Sequence, residues 1–245
     1  MTSLENIDPV TNSETCESLE RGEIARKKLI EAGLKIYSAV GYEKASTRLL
    51  AAEAGVNIAA IPYYFGSKEG LYIAVIDSII NYYRAGLGDS LIQIQTALNN
   101  PNTTNEDYRA LLDRYMLKMI HFVLQDTPER QQISRIYTRE QLDPTSAFER
   151  LYKGFVRELH ESIAALVAQI LKDQISISEA RIVAQTLLGQ VTVFKSSRRA
   201  VLNNMGWKDY HEQGITEIES IVMFQVNAII SAYQHQSFSH KGSSL

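Results

Sequence analysis

Apolar residues recur at spacings of three and four along most of this chain, which is the period that an α-helix imposes. One such stripe lies on a predicted helix over residues 105–125 and consists of Tyr108, Leu111, Leu112, Tyr115, Met119, Phe122 and Val123. A second lies near the C-terminus and consists of Ile215, Ile218, Val222, Val226, Ile229 and Tyr233. Strict apolar-polar alternation is never sustained, and no Asn-Gly or Asp-Gly pair separates two strand-like runs. The pattern predicts an all-α fold.

Composition excludes several classes of protein. The 245 residues carry 25 Lys and Arg against 28 Asp and Glu, a balance that excludes a protein coating nucleic acid by bulk charge. A single cysteine, Cys16, excludes an intrachain disulfide and favours a reducing compartment. No apolar run approaches the about 20 residues of a membrane span, and no secretory signal pattern opens the chain. We expect a soluble cytoplasmic protein with no membrane partner.

Charge is distributed unevenly along the chain. Residues 1–20 contain five acidic residues, no Lys or Arg and no apolar periodicity, so we expect a disordered acidic tail. Residues 21–70 contain eight basic and five acidic residues, whereas the rest of the chain is close to neutral. We therefore expect a locally basic head on a neutral helical body, and a flexible tail over residues 237–245.

Residues 22–70 predict a specific arrangement of helices. Ser46 or Thr47 begins a short helix that Gly55 ends, and Asn57 begins another short helix. Two short helices joined by a tight Gly-containing turn, and braced by a preceding helix, form a helix-turn-helix. In such a unit the second short helix enters the major groove of DNA and the first crosses the backbone. The segment therefore predicts a DNA-binding domain.

The same segment resembles, over about 50 residues without a gap, the DNA-binding domain of TetR-family repressors. The matching runs are Ser46-Thr47-Arg48-Leu49-Leu50-Ala51, Ala54-Gly55-Val56 and Ile61-Pro62-Tyr63-Tyr64-Phe65-Gly66-Ser67-Lys68-Glu69-Gly70-Leu71. The rest resembles the YbiH/CecR-type branch of that family in Arg139-Glu140, Asp143-Pro144-Thr145-Ser146-Ala147-Phe148, Gly189-Gln190 and Arg198-Arg199-Ala200-Val201-Leu202. The resemblance implies a three-helix DNA-binding domain over residues 21–67 and a ligand-binding and dimerisation bundle of about nine helices over residues 68–236.

The candidate DNA-contacting residues are Thr47, Arg48, Asn57, Ala59, Ala60, Tyr63, Tyr64 and Lys68. Thr47 suits a phosphate contact through its hydroxyl or backbone N–H, and Arg48 has the reach for a phosphate or a base edge. Asn57, Ala59 and Ala60 fall on the first turn of the recognition helix, where small side chains permit close approach and methyl groups suit thymine methyls. A purely capping role for Thr47 and a solvated Arg48 remain open alternatives.

The resemblance implies phosphate contacts for Tyr63, Tyr64 and Lys68, whereas Phe65 is expected to pack inside. A core position for one of the two tyrosines remains open. Pro62 departs from the family pattern, because its ring would press on the carbonyl of Ile58 if the helix began at Asn57. Either the helix begins later than Asn57 or it bends.

A regulator of this family implies a second state that a ligand favours. Aromatic and Met residues of the C-terminal half are the candidate lining of a pocket for an aromatic or amphiphilic effector: Tyr115, Met119, Phe122, Tyr137, Phe148, Phe155 and Phe194. His121, Arg135 and Gln190 are the candidate polar anchors. The alternative is a packed core, which is the usual role of aromatic and Met residues at helical spacing.

The last two long helices predicted, over residues 178–202 and 215–233, spread apolar residues over more than one face. The resemblance implies a homodimer through these helices, with recognition helices about 34–36 Å apart and a palindromic double-stranded DNA operator. The alternative is that both helices are internal to a larger monomer.

Catalysis is not predicted. The five histidines show no metal-ligand spacing, no Gly-rich phosphate loop is present, and Cys16 falls in the acidic tail. We expect no enzyme activity, no metal and no cofactor. The predicted function is a dimeric repressor whose operator binding an apolar effector alters, and the alternative is a helical interaction or scaffold protein without an effector pocket.

Overall fold

The computed structural model describes residues 10–125 and 127–235, and all regular secondary structure in these ranges is helical. The first four helices are α1 (Val10–Val40), α2 (Thr47–Ala54), α3 (Ala60–Phe65) and α4 (Lys68–Leu98). They are followed by α5 (Asn105–Leu124), α6 (Pro128–Leu142), α7 (Phe148–Leu151), a π-helical turn (Tyr152–Val156), α8 (Arg157–Ile170), α9 (Ile177–Ser196), α10 (Arg198–Met205) and α11 (Glu212–His235). The prediction of an all-α fold is confirmed.

The chain forms two compact units. The first contains residues up to Ser78 together with Arg135–Ala147, and the second contains Ile79–Ser134 and the residues from Phe148 onward. Both α4 and α6 contribute residues to each unit. The C-terminal half of α6 therefore belongs to the same compact unit as the helix-turn-helix, whereas the sequence placed the domain boundary at residue 67.

The first unit is built around α1, which packs against α2 and α3. Its core contains large side chains with almost no solvent exposure: Leu29, Tyr37, Leu50, Ile61 and Leu71. Gly33 allows α4 to approach α1, because a Cβ at this position would lie 2.7 Å from Cγ2 of Val75. The short helices α2 and α3 are thus held against a longer helix, as a helix-turn-helix requires.

The second unit is a bundle in which α5, α8 and α9 pack on one another, and α11 packs on α5 and α9. Its core is formed by Leu91, Ile94, Leu112, Met116, Ile163, Leu166, Val167, Leu187 and Val191. Gly154 in the π turn allows that turn to approach α4, since a Cβ there would lie 2.6 Å from Cδ1 of Ile80.

The predicted acidic tail is wrong over residues 10–20, which form the first turns of α1. Elongating an existing helix adds one hydrogen bond for each residue that is fixed, so a polar segment can continue a helix that could not nucleate alone. No Pro or Gly interrupts residues 10–21. Residues 1–9, and the predicted C-terminal tail over residues 237–245, lie outside the described residues.

The single helix predicted over residues 178–202 is two helices, α9 and α10, which meet at Ser197 with φ −108° and ψ 22°. The adjacent Ser196 and Ser197 are weak helix formers, because their hydroxyls compete for backbone hydrogen bonds. The long C-terminal helix predicted over residues 215–233 is present as α11.

α11 is long and apolar enough to suit a membrane span by length and composition alone, with a mean hydropathy of 1.3 over its most apolar stretch. Polar contacts tie this helix to α5 instead. Arg109 donates to Asn227 Oδ1 at 2.7 Å and to Gln234 Oε1 at 3.0 Å, and His121 Nε2 lies 3.0 Å from a Glu219 carboxylate oxygen. α11 is therefore a helix of the bundle.

Candidate nucleic-acid interface

Local capping interactions define α2. Ser46 has extended backbone angles, and its hydroxyl accepts a hydrogen bond from the Leu49 N–H at 3.2 Å. At the other end Gly55 adopts the left-handed conformation, with φ 64°, which the absence of a Cβ makes favourable. The N-cap of α2 is therefore Ser46, and the Thr47 side chain forms no hydrogen bond among the described residues.

α3 begins at Ala60, three residues later than Asn57. The Asn57 side chain accepts a hydrogen bond from the Ala59 N–H at 2.9 Å and so shapes the turn before the helix. Pro62 then falls in the first turn of α3, where a backbone N–H would have no partner within the helix. The later start resolves the conflict that Pro62 presented, and it places Asn57 and Ala59 ahead of the helix rather than on its first turn.

Tyr63 and Tyr64 have different environments. Tyr63 is 80% exposed, and its ring meets that of Tyr64 edge-on at 4.8 Å between centroids. Tyr64 is half-buried and packs near α1, because a Cβ at Gly22 would lie 3.5 Å from its hydroxyl. Phe65 is half-buried beneath the Arg26 guanidinium, which lies 5.5 Å from the ring centroid. Tyr63 is thus an aromatic side chain presented to solvent.

Lys68 begins α4 and is held by the loop that follows α1. Its Nζ donates to the Tyr42 carbonyl at 3.1 Å and lies 4.3 Å from the centroid of the Tyr42 ring. An ammonium group has three N–H donors, so donors remain for a phosphate oxygen. Ser67 caps α4 by accepting from the Gly70 N–H at 3.0 Å.

The beginnings of α2, α3 and α4 surround one hollow of about 310 Å³, lined by Thr47, Ile58, Ala59, Ile61, Pro62, Ser67 and Lys68. Three of the predicted DNA-contacting residues, Thr47, Ala59 and Lys68, meet there. Exposed Arg48 and exposed Tyr63 belong to the same two short helices but do not line the hollow. Most of the lining of the hollow is apolar, and Lys68 supplies its one cationic group.

A second feature of this unit is a pair of hydrogen bonds from the C-terminal half of α6 to the end of α1. The guanidinium of Arg139 donates to the Tyr37 carbonyl at 2.7 Å and to the Ala39 carbonyl at 3.1 Å. The last carbonyls of a helix lack partners within the helix, and a cation favours the negative end of its dipole. Arg139 therefore stabilises the end of α1. It adds a second bond to the Tyr37 carbonyl, which also accepts from the Gly41 N–H at 2.9 Å, and it provides a partner for the Ala39 carbonyl.

Glu140, beside Arg139, is buried and fully paired. Its carboxylate accepts from the Tyr72 hydroxyl of α4 at 2.6 Å, and from the backbone N–H and hydroxyl of Thr145 at 3.2 Å and 2.9 Å. Such charge-assisted bonds are what a buried carboxylate requires. Sequence reasoning used Arg139-Glu140 only as a mark of resemblance and missed this structural role.

The hydroxyl of Tyr72 stays protonated as a donor to Glu140. Burial, and after it the hydrogen bond to the Glu140 carboxylate, raises the pKa of Tyr72 well above its ordinary value. Burial likewise raises the pKa of Tyr37, whose hydroxyl donates to the Lys68 carbonyl at 3.3 Å. The rings of Tyr37 and Tyr72 meet edge-on at 4.8 Å between centroids. These bonds and ring contacts connect Glu140 with the first residue of α4.

The predicted effector-binding residues fall into separate groups. Tyr137 belongs to the first unit. In the second unit, Tyr115 and Met119 are buried on α5, whereas Phe122 and Phe155 join an aromatic cluster around Tyr82 and Tyr83. Phe148 stacks with Tyr152, and the Phe194 carbonyl accepts from the Tyr210 hydroxyl. Their arrangement is thus that of several packing clusters.

The candidate polar anchors also differ from one another. His121 is paired with Glu219, and Arg135 is exposed in the first unit. Gln190 Oε1 and the Tyr115 hydroxyl are both buried without a hydrogen-bond partner among the described residues. Unpaired buried polar atoms are uncommon and costly.

Two family models match the chain in succession. Residues 29–75 match the model described as bacterial regulatory proteins, tetR family. Residues 108–233 match the model for the C-terminal domain of the HTH-type transcriptional dual regulator CecR. Together with the capped α2–α3 pair, these matches define a helix-turn-helix transcriptional regulator.

Relatives with known names agree with these matches. The chain is 29% identical over 217 residues to the HTH-type transcriptional dual regulator CecR of Shigella flexneri, covering 89% of this chain and 96% of that protein. It is 27% identical over 147 residues to the regulator RutR of Escherichia coli K12, covering 60% of this chain and 62% of RutR. The chain belongs to the TetR family of bacterial regulatory proteins and carries a C-terminal domain of the CecR type. Its relatives are transcriptional regulators and not enzymes.

Solved structures share the fold at low identity. AibR, in a complex with isovaleryl coenzyme A and operator DNA, is 14% identical with a TM-score of 0.58, over 82% of this chain and 97% of AibR. A transcriptional regulator from Rhodococcus sp. Rha1 is 16% identical with a TM-score of 0.56, over 84% of this chain and 96% of that chain. These likenesses extend to the architecture and no further.

Proposed function

We propose that the chain is a dimeric, cytoplasmic repressor that binds a palindromic operator through α2 and α3, and that a largely apolar effector in the second unit alters this binding. The observation that carries the DNA-binding surface is the hollow at the beginnings of α2, α3 and α4, together with exposed Tyr63 beside it. Phosphate contacts fix the register of a protein on DNA, and base contacts then specify the sequence.

Each proposed DNA contact has a physical basis. Thr47 has a hydroxyl without an internal partner, and Arg48 is an exposed cation without one among the described residues. Tyr63 exposes a phenol that can donate to a phosphate oxygen. Lys68 adds the positive charge, at the beginning of a long helix whose dipole has the same sign. Tyr64 is half-buried, so only part of its side chain remains for DNA.

Ala60 begins α3, and Asn57 and Ala59 form the turn before it. This turn is exposed at Asn57 and Ala59, and small side chains there leave room for a groove edge. Because α3 has only six residues, few base edges lie within its reach. We therefore assign most of the affinity to phosphates and to the pairing of two half-sites.

The dimer is supported by apolar side chains that a single chain leaves in water. Ile182 and Val193 on α9 are 62% and 42% exposed, and Ile221 and Phe224 on α11 are 51% and 75% exposed. Burying one such side chain is worth about 1.5–3 kcal/mol. A dimer contact with two-fold symmetry would bury each of these side chains on both protomers. The low burial of the apolar stretch of α11, 22% in the single chain, has the same explanation.

An effector site in the bundle is supported by polar atoms that the fold leaves unpaired. The Tyr115 hydroxyl on α5 and Gln190 Oε1 on α9 are buried without partners in the part of the chain that the structure describes, and these two helices pack on each other. An effector with one polar group would satisfy such atoms while its apolar part displaced side chains of the core. The remaining candidates of the second unit, Met119, Phe122, Phe148, Phe155 and Phe194, are proposed as apolar contacts.

Transmission to DNA is proposed to run through α6. This helix continues from the second unit into the first, where Arg139 and Glu140 hold α1 and α4. A ligand can shift an equilibrium only through its different affinity for the two states. An effector that displaced α6 would strain these bonds, so effector binding and operator binding would oppose one another.

The test is operator binding by fluorescence anisotropy, with duplexes taken from the DNA flanking the gene. We expect the Lys68→Gln, Tyr63→Phe double variant to bind at least about tenfold more weakly than the parent, since it loses two phosphate contacts per protomer. Lys172→Gln, an exposed lysine of the second unit, is the matched control and should bind as the parent does. Parent-like binding by the double variant would contradict the proposed surface.

A further inference from the structure

The second unit contains an open cleft of about 320 Å³ beside the π turn. Tyr152 of that turn, Arg157 and His160 of α8, and Arg181 and Leu188 of α9 line it. None of the predicted effector-binding residues or polar anchors does. Its volume is that of a site for a small organic molecule.

The polar lining of this cleft consists mostly of hydrogen-bond donors. Arg157 and Arg181 are exposed, and neither forms a hydrogen bond or an ion pair among the described residues. Gln185 adds an amide N–H₂ to the lining. Glu161 is the one carboxylate in the lining, and it lies within ion-pair distance of neither arginine. The lining of the cleft therefore contains two guanidinium groups that form no ion pair among the described residues, and one carboxylate.

A guanidinium is a planar fork of donors that matches the two oxygens of a carboxylate or a phosphate. Arg157 and Arg181 come from different helices that pack on each other, so one anion between them would bridge α8 and α9. His160 stands in the same lining, half-buried and without a partner among the described residues. Its imidazole can supply a third donor to the same anion.

The π turn contributes Tyr152 to the lining of the cleft. The Arg157 N–H donates to the Tyr152 carbonyl, five residues earlier, which is the bond of a π-helix. Such turns are rare inside α-helices and often occur at functional sites. Here the turn presents the Tyr152 ring, stacked on Phe148 at 6.1 Å between centroids. Tyr152 and Leu188 add apolar surface to the lining of the cleft.

We propose that this cleft binds a small organic anion, whose carboxylate or phosphate group pairs with Arg157 and Arg181 and whose apolar part lies against Tyr152 and Leu188. The site goes beyond the proposed function, because it needs neither the operator nor the predicted apolar effector. An anion that bridges α8 and α9 stabilises the bundle by binding only the folded state.

The test uses isothermal titration of the full chain without DNA, with phenyl phosphate and benzoate as probes and phenol as the neutral comparison. Arg157→Gln, Arg181→Gln removes both guanidinium groups. Lys172→Gln, Arg199→Gln is the matched control, because it removes two exposed cations of the second unit that do not line the cleft. All four side chains are exposed or solvated, and far-UV circular dichroism confirms that each variant is folded.

We expect the parent and the control to bind at least one anionic probe with saturation, and the Arg157, Arg181 double variant to bind it at least about tenfold more weakly. Phenol should bind far more weakly than either anion. The proposal is overturned if neither probe binds with saturation, if the two double variants bind equally, or if phenol binds as tightly as phenyl phosphate. Operator binding by the same proteins is a separate measurement, so loss of either activity identifies which proposal has failed.

Discussion

Arg139 donates a hydrogen bond of 2.7 Å to the Tyr37 carbonyl at the end of α1, although the two residues are 102 positions apart in the chain. The next residue, Glu140, is buried and bonded to Tyr72 of α4. Two consecutive residues of α6 thus hold the helices that flank the helix-turn-helix. This connection depends on a fork-shaped cation and a fully paired carboxylate, and both can be tested.

Tyr72→Phe should lower the free energy of unfolding by about 1.5–3 kcal/mol, because it removes a charge-assisted hydrogen bond from a buried carboxylate. Urea denaturation with intrinsic fluorescence measures the change. Glu140→Gln and the double variant complete a double-mutant cycle, which should give a coupling energy well above experimental error. Strictly additive effects would show that the 2.6 Å contact contributes nothing of its own.

Tyr115→Phe should stabilise the unliganded protein. The Tyr115 hydroxyl is buried without a partner among the described residues, and such a group costs about 1–3 kcal/mol to desolvate. The urea midpoint should therefore rise, while Tyr108→Phe, which removes a hydroxyl that donates to the Ala97 carbonyl, should lower it. A lower midpoint for Tyr115→Phe would mean that this hydroxyl has an acceptor.

Stability should fall with acidification through His160. Burial lowers the pKa of His160 below its ordinary value of 6.5, so the folded state favours the neutral imidazole. The stabilisation is complete above pH 6.5 and is lost progressively as the pH falls from there towards the lower pKa of the folded state. His160→Gln should flatten this part of the profile of unfolding free energy against pH. A parent-like slope in the variant would assign the effect to other groups.

Phe224→Glu should dissociate the proposed dimer. Phe224 is 75% exposed on α11, and a two-fold contact there would bury two carboxylates for each dimer without partners. Sedimentation velocity should show a monomer for Phe224→Glu, whereas Ile92→Glu, at a 62% exposed position of α4, should sediment as the parent does. A monomeric parent would contradict the dimer itself.

The start of α3 illustrates what local reasoning can and cannot reach. Asn57 was predicted to begin the recognition helix, but its side chain shapes the turn before α3, which begins at Ala60. Both an Asx turn and an N-cap use the same side-chain acceptor on a nearby N–H, so composition alone does not distinguish them. Pro62 indicates the later start of α3, since a proline fits the first turn of a helix better than its interior.

The amino-acid sequence by itself determined the all-α class and the caps of α2 and α4. Capping at Ser46, the left-handed Gly55 and the cap of α4 at Ser67 involve residues at most four positions apart, so these signals act wherever the chain is. Helical periodicity likewise indicates the all-α class without reference to distant residues. The family resemblance followed from the same contiguous residues, and the family matches confirmed it.

Only the tertiary structure decided which distant residues meet. The bond from Tyr72 to Glu140 spans 68 positions of sequence, and the cleft between Arg157 and Arg181 depends on how α8 packs against α9. Such contacts depend on close packing of whole helices, which specifies neighbours through shape and buried pairing rather than through any local pattern. The net charge of −3 likewise describes no single region of the chain. Folding brings Lys68, Thr47 and Ala59 to one hollow, and it leaves Arg157 and Arg181 at a separate cleft without a partner among the described residues.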